Sequence, residues 1–195
     1  QVRDAYDCTY MESYTIAPLP PLTVNTVLTK DLDCTASQDA VITGTISGSF
    51  PPYNVTLIQG SGTPVVSGNT FTLTTSISGD YQFEITDSNG CTSLSGIQTV
   101  NAISLPEISL ITSTPNLCSG ESNGSIQVTI NTAVGTPPFT INVNNDSTGI
   151  NYGTQTTSLP AGNYTVTLTD SKFCTHIETI TISEPTPINV SSSTV

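Results

Sequence analysis

Five cysteines, a single histidine and three evenly spaced aspartates are the residues with the most chemical reach in this 195-residue chain, and their spacing is regular. Asp4, Asp87 and Asp170 recur every 83 residues, as do Cys8, Cys91 and Cys174, while Cys34 and Cys118 stand 84 apart. Within that lattice Cys34 precedes Cys91 by 57 residues and Cys118 precedes Cys174 by 56, a near-constant interval that predicts the pairs Cys34–Cys91 and Cys118–Cys174. Closing a loop of that size would remove roughly 4 kcal/mol of unfolded-state entropy. The alternative is buried free thiols, because a disulfide requires Cα atoms about 4.4–6.8 Å apart and spacing alone does not deliver that. On the same lattice the first cysteine matching Cys8 would fall before Gln1, so Cys8 is expected to be unpaired.

Other reactive constellations do not assemble. His176 has only Cys174 near it in sequence, whereas a zinc site needs about four ligands; it is expected to be an ordinary strand residue. Serine and threonine abound, but a nucleophile needs a neighbouring base and an orienting acid, and repeat-matched positions offer neither. Asp4, Asp87 and Asp170 would suit calcium if they gathered in loops. Each instead stands alone ahead of a short turn, the place where an aspartate caps backbone N–H groups two residues on. Asp31, Asp33 and Asp39 form the densest acidic loop, which the later part of the chain answers only with Glu121. The expectation is no catalytic residue, no metal site and no cofactor.

Composition narrows the partners. Lys and Arg number 3 against 15 Asp and Glu, a formal net charge of −12, with only 9% of residues charged. A phosphate backbone would be repelled, since binding it needs cations that displace counterions; nucleic acid is excluded as a partner. No stretch approaches the roughly 18 apolar residues of a membrane-spanning helix, so no membrane insertion is expected. Gln1 opens no basic-then-apolar leader, and the chain reads as a fragment or processed form of something longer. Five cysteines in a Ser/Thr/Asn-rich background point to an oxidising, extracytoplasmic setting.

The lattice requires elements that repeat. "GDYQFEITDSNGCT" at 79–92 returns as "GNYTVTLTDSKFCT" at 162–175, and "FPPYNVTL" returns as "TPPFTINV" at an offset of 86. Alternation marks the strands: Ile126, Val128, Ile130, then Phe139, Ile141, Val143, then Tyr164, Val166, Leu168. The earlier counterparts are Ile42 and Ile46, then Tyr53, Val55, Leu57, then Tyr81, Phe83, Ile85. Breakers such as "SGSFPP", "AVGTPP", "NNDSTG" and "LPAGN" fall at the spacing of a small antiparallel sandwich, with the Pro-Pro pairs opening strands. Helical periodicity is missing, and the chain reads as all-β. Tyr81 and Tyr164 are candidates for a structural corner, in which a Tyr hydroxyl returns to upstream backbone, or else plain core aromatics.

The string C-x-x-x-x-x-G-S-I-x-V, G-T-P-P-F-T, L-P-A-G-N-Y-T-V-T-L-T-D-S-x-x-C-T and I-S-E-P within 118–185 resembles the SprB-type repeat of gliding-motility adhesins from Bacteroidota. The earlier copy departs from it with Asp80 for Asn163, "TSIS" for "TSLPA" and no Glu-Pro at its close. The resemblance implies tandem immunoglobulin-like antiparallel β-sandwiches in a long extracellular, cell-surface protein exported by the type IX system. The repeat offsets place complete repeats at 22–104 and 105–187, the end of a preceding repeat at 1–21 and the first strand of a following one at 188–195. Asp146-Ser147-Thr148 also fits the short pattern that glycosylating enzymes of that group favour, which makes Ser147 a candidate O-glycosylation site. The implied role is a structural stalk whose partners are neighbouring repeats and, beyond them, surface polysaccharide or a substratum. Two other roles compete: repeats that grip polysaccharide through loops 59–69 and 144–153, where Tyr152 is the sole aromatic, or accessory modules of a secreted hydrolase.

Overall fold

The computed structural model describes residues 1–15 and 18–190, and every regular element among them is a β-strand. No helix among them is long and apolar enough to cross a membrane. A two-stranded ribbon, β1 (Val2–Arg3) and β2 (Thr9–Tyr10), comes first. The described chain then forms two compact units. The first draws on Gln1–Thr29, Val41–Thr74 and Asp80–Thr99; the second holds Lys30–Ala40, Thr75–Gly79 and the chain from Val100 onward.

The first set of strands is β3 (Thr23–Lys30), β4 (Ala40–Ser47), β5 (Asn54–Gln59), β6 (Val65–Ser67), β7 (Thr70–Thr75), β8 (Gly79–Thr86), β9 (Thr92–Leu94) and β10 (Gln98–Val100). One sheet runs β3-β4-β7-β6; the other runs β10-β8-β5, with β9 also on β8. Counting β9 and β10 as one interrupted strand, these are strands ABED and GFC of a constant-type immunoglobulin domain. The interruption falls at Ser95-Gly96, where the Ser95 hydroxyl takes the Phe83 N–H at 3.0 Å. Alternation builds the core: Ile42, Ile46, Phe71, Leu73, Tyr81, Phe83 and Ile85 are all buried, and the Phe71 and Phe83 rings lie 4.8 Å apart.

The second set is β11 (Ile108–Thr114), β12 (Gly124–Ile130), β13 (Thr140–Asn145), β14 (Asn151–Gly153), β15 (Thr157–Leu159), β16 (Gly162–Thr169) and β17 (Thr175–Ile182). The sheets are β11-β12-β15 and β14-β13-β16-β17. Ile108, Ile126, Val143, Leu159, Tyr164, Val166, Leu168 and Ile182 make the core, flanked by half-buried Val128, Ile130, Phe139 and Ile141. Register repeats as well as sequence. Val55 faces Ile85 and Leu57 faces Phe83 across β5 and β8. Ile141 faces Leu168 and Val143 faces Val166 across β13 and β16. Slipping either strand by one residue would turn its whole apolar face to water, so the alternation holds both registers.

The fourth strand differs between the sets, and turn chemistry accounts for it. Ser67 faces Thr70 across a two-residue turn in which Gly68 takes φ 58°, so β6 folds back onto β7. The matching residues at an offset of 86 are Thr154 and Gln155, which lack that freedom. Here the tight reversal comes earlier, at Gly149 with φ 72°, and β14 folds back onto β13 instead. Buried Asn145 secures that turn, its Oδ1 accepting the N–H groups of Ser147 and Thr148 at 3.0 Å each.

Two expectations need correction. Pro51-Pro52 and Pro137-Pro138 do not open strands; they lie in the turns before β5 and β13, where no ladder N–H is required. The strand expected over 188–195 falls largely on residues outside the described part, and 188–190 carry no strand.

Candidate interaction surfaces

One turn occurs three times. Oδ1 of Asp170 accepts the N–H groups of Lys172 and Cys174 at 2.9 Å each, while the backbone closes through Asp170 N–H to Cys174 carbonyl at 3.0 Å. Oδ1 of Asp87 does the same for Asn89 and Cys91, and Oδ1 of Asp4 for Tyr6 and Cys8. The residue ahead of each cysteine is left-handed: Asp7 at φ 68°, Gly90 at 83° and Phe173 at 61°. The second carboxylate oxygen reaches the loop after the second strand of the sandwich. Asp87 Oδ2 accepts from the Ser49 hydroxyl, and Asp170 Oδ2 from the Thr136 N–H at 3.0 Å. These aspartates are therefore spent on turn and loop donors. Among the described residues no three His, Cys, Asp or Glu side chains gather to hold a metal ion.

The cysteine pairing differs from the expected one. Cys34 is bonded to Cys174, with Cα atoms 4.9 Å apart, and Cys8, Cys91 and Cys118 are exposed free thiols. Strand direction forbids the expected pairs. Cys34 lies in the loop before β4, whereas Cys91 lies in a turn pinned, through Asp87, to the loop after β4. The eight residues of β4 put roughly 27 Å between those ends. Cys118 and Cys174 stand in the same way at opposite ends of β12, whose seven residues span about 24 Å. That signal was in the sequence, since each first cysteine precedes the second strand and each second cysteine follows the sixth.

Polar contacts surround the bond within the second unit. The Cys34 N–H donates to the Lys172 carbonyl at 2.9 Å, and Lys172 Nζ reaches Asp31 Oδ2 at 2.9 Å. Asp31 also accepts from the Asn101 side chain and N–H, at 3.1 Å each. Burial raises the Asp31 pKa, yet hydrogen bonds from Lys172, Asn101 and Leu32 outweigh it and hold the carboxyl below its ordinary 3.8. Asp33, lowered first by its hydrogen bond from Lys30 and then by Thr35, pairs with Lys30 at 2.9 Å. Lys30 also donates to the Asp39 carbonyl. The acidic loop 31–39 is thus neutralised by lysines and amides. Spacing arguments had singled out neither Lys30 nor Lys172.

The remaining predicted residues have structural surroundings. Tyr164 is fully buried and its hydroxyl donates to the Pro160 carbonyl at 2.7 Å, four residues upstream; Tyr81 is buried at the start of β8. His176 sits on β17, its Nδ1 accepting the Ile108 N–H at 2.8 Å, which leaves the neutral ring's proton on Nε2. Ser147 is exposed at the tip between β13 and β14. Tyr152 turns inward, its ring 6.1 Å from that of Tyr164. One apolar groove of about 440 Å³ lies beside the free Cys118, lined by Leu117, Cys118, Ser119, Pro185, Thr186, Pro187 and Ile188.

No family model and no curated protein matches the chain. Among solved structures it is similar to the N-terminal eight immunoglobulin domains of Down syndrome cell adhesion molecule, at 13% identity and a TM-score of 0.44. That likeness covers 86% of this chain and 25% of the other. It is also similar to a C-terminal 282-residue fragment of intimin, solved in complex with the intimin-binding domain of its translocated receptor. There the identity is 15% and the TM-score 0.36, covering 86% of this chain and 64% of the other. The chain spans less than two thirds of either structure, and the strand order described above, rather than these loose likenesses, defines its immunoglobulin-like fold.

Proposed function

We propose that this chain is a length of stalk from a long, filamentous cell-surface adhesin of the gliding-motility type, exported by the type IX system. Its repeats are spacers that hold a distal binding region away from the cell. In this reading residues 22–104 and 105–187 are complete repeats, 1–21 the end of a preceding one and 188–195 the opening of a following one. The carrying observation is that the register of the facing strands β5–β8 returns in β13–β16 and that the same aspartate-capped turn follows each pair. Repeats of this kind contribute to stability nearly additively, which suits a structure lengthened by duplication. The resemblance to SprB-type repeats supplies the adhesin context, and a disulfide fits an extracellular setting. Ser147, exposed on a hairpin tip, is the proposed glycan acceptor.

A sugar-gripping role has less support. Carbohydrate sites need exposed aromatics in a concave patch, the loop 59–69 has none, and Tyr152 packs against Tyr164. Screening the protein on a glycan array tests the spacer reading: no binding above background is expected, and robust binding to any polysaccharide class overturns it.

A further inference from the structure

We infer that Cys118 and its groove form a covalent docking site for the Cys91 turn of another repeat of this type, presented by a second copy of this chain. The inference rests on the tandem-repeat reading proposed above. The template is the bond already present. By sequence offset Cys118 is the counterpart of Cys34, and Cys91 the counterpart of Cys174. Where the first-type cysteine meets the second-type turn, a disulfide forms and the Cys34 N–H seats on the Lys172 carbonyl.

The Cys91 turn has the geometry that this seat requires. Its bonds from Asp87 to Asn89 and Cys91, at 2.9 and 2.7 Å, match those from Asp170 to Lys172 and Cys174, at 2.9 Å each. The Asn89 carbonyl takes the place of the Lys172 carbonyl. On the receiving side, Leu117 is 79% and Ile188 92% exposed beside Cys118, an apolar wall without a covering partner in the described chain. Glu184 holds that wall in shape by accepting from Ser119 Oγ and the Gly120 N–H.

Loss of charge on both sides fits this occupant, as it does the Cys8 turn, where Tyr6 stands in the place of Lys172. At the closed site Lys172 on the turn meets Asp31 on the receiving loop at 2.9 Å. At the open site both charges are gone together: the counterpart of Lys172 is Asn89, and that of Asp31 is Pro115. With Asn89 entering beside Pro115, neither the lysine nor the aspartate of the closed site is present to be stranded, whereas mixing the two types would bury one of them unpaired. Because one chain carries both surfaces, the contact either propagates head to tail or closes reciprocally, Cys91 to Cys118 and Cys118 to Cys91, as a two-fold pair.

With oxidised glutathione as the oxidant, the Cys118 thiolate attacks the glutathione disulfide and releases one glutathione thiolate. The Cys91 thiolate then attacks the Cys118 sulfur of the mixed disulfide and releases the second. Two protein thiols become one disulfide, and one glutathione disulfide becomes two thiols.

The test uses the whole chain with Cys8 retained as the competing thiol, incubated with oxidised glutathione and examined by non-reducing electrophoresis and peptide mass spectrometry. The expected result is disulfide-linked dimers and higher species in which Cys91–Cys118 is the dominant new linkage. Cys118→Ser or Cys91→Ser should each remove most of the linked product while leaving Cys34–Cys174 intact. Monomer alone, or Cys8–Cys118, Cys118–Cys118 or Cys91–Cys91 bonds in equal or greater yield, overturns the inference. Glycan binding would sink the spacer role but would leave this linkage result standing.

Discussion

Cys34 and Cys174, 140 residues apart in sequence, are joined by a disulfide that ties the loop between β3 and β4 to the turn between β16 and β17. In a chain whose lysines and arginines number only 3, this bond spans most of the sequence. Cys8, Cys91 and Cys118 are free, and each is by sequence offset the counterpart of one member of the bonded pair.

Breaking that bond should be costly. Chain-entropy reasoning for a closed loop of this size gives about 5 kcal/mol, an upper value because distortion and residual structure reduce it. Cys34→Ser should lower the urea midpoint and make it insensitive to reductant, whereas Cys91→Ser should leave the midpoint in place. Urea titrations with and without reductant check this, and a Cys91→Ser midpoint that drops as far as that of Cys34→Ser counts against the assigned pairing.

The residue ahead of each turn cysteine tests backbone conformation with little change of contact. Gly90 has φ 83° and only open space where a methyl would stand, so Gly90→Ala adds only left-handed strain, about 1–2 kcal/mol of destabilisation. Phe173 holds φ 61° with a side chain 66% exposed, and Phe173→Gly should relieve that strain for a gain of about 1 kcal/mol at most, after glycine's entropy loss. Thermal melts of the two variants should move in opposite directions; shifts of the same sign would show that the turn is not governed by φ.

Acid should weaken the second unit partly through Asp31. Its folded pKa lies below 3.8, so in the window just below that value the unfolded chain binds the proton first. Its stabilisation is therefore present above the unfolded pKa and is lost as pH falls through the folded one. Asp31→Asn should lower stability near neutrality, because Lys172 loses its partner, and should flatten the fall as pH drops through and below 3.8. Asp33 and Asp87, also lowered, keep the slope from vanishing. Denaturant midpoints across that range decide it, and an unchanged slope in Asp31→Asn would falsify the assignment.

The amino-acid sequence by itself determined the strands and their faces. Ile42, Ile126, Phe83 and Val166 are buried as alternation required, because a period of two leaves one energetically acceptable register once one face must be dry. The aspartate turns were equally legible, since a carboxylate two and four residues ahead of free N–H groups acts locally. What spacing did not reveal was which cysteine meets which, although the count of strands between them carried the answer: Cys34 and Cys91 lie at opposite ends of the same strands. Even then, only the tertiary structure could show that the turn of Cys174 reaches the loop of Cys34, with Lys172 beside Asp31. The exchange of the fourth strand between sheets was likewise decided in three dimensions, where a glycine turn at Gly68 or at Gly149 selects the neighbour with which a short strand pairs. Local hydrogen bonds and periodicity act over a few residues and can be read along the chain; partners 140 residues apart are chosen by packing, which cannot.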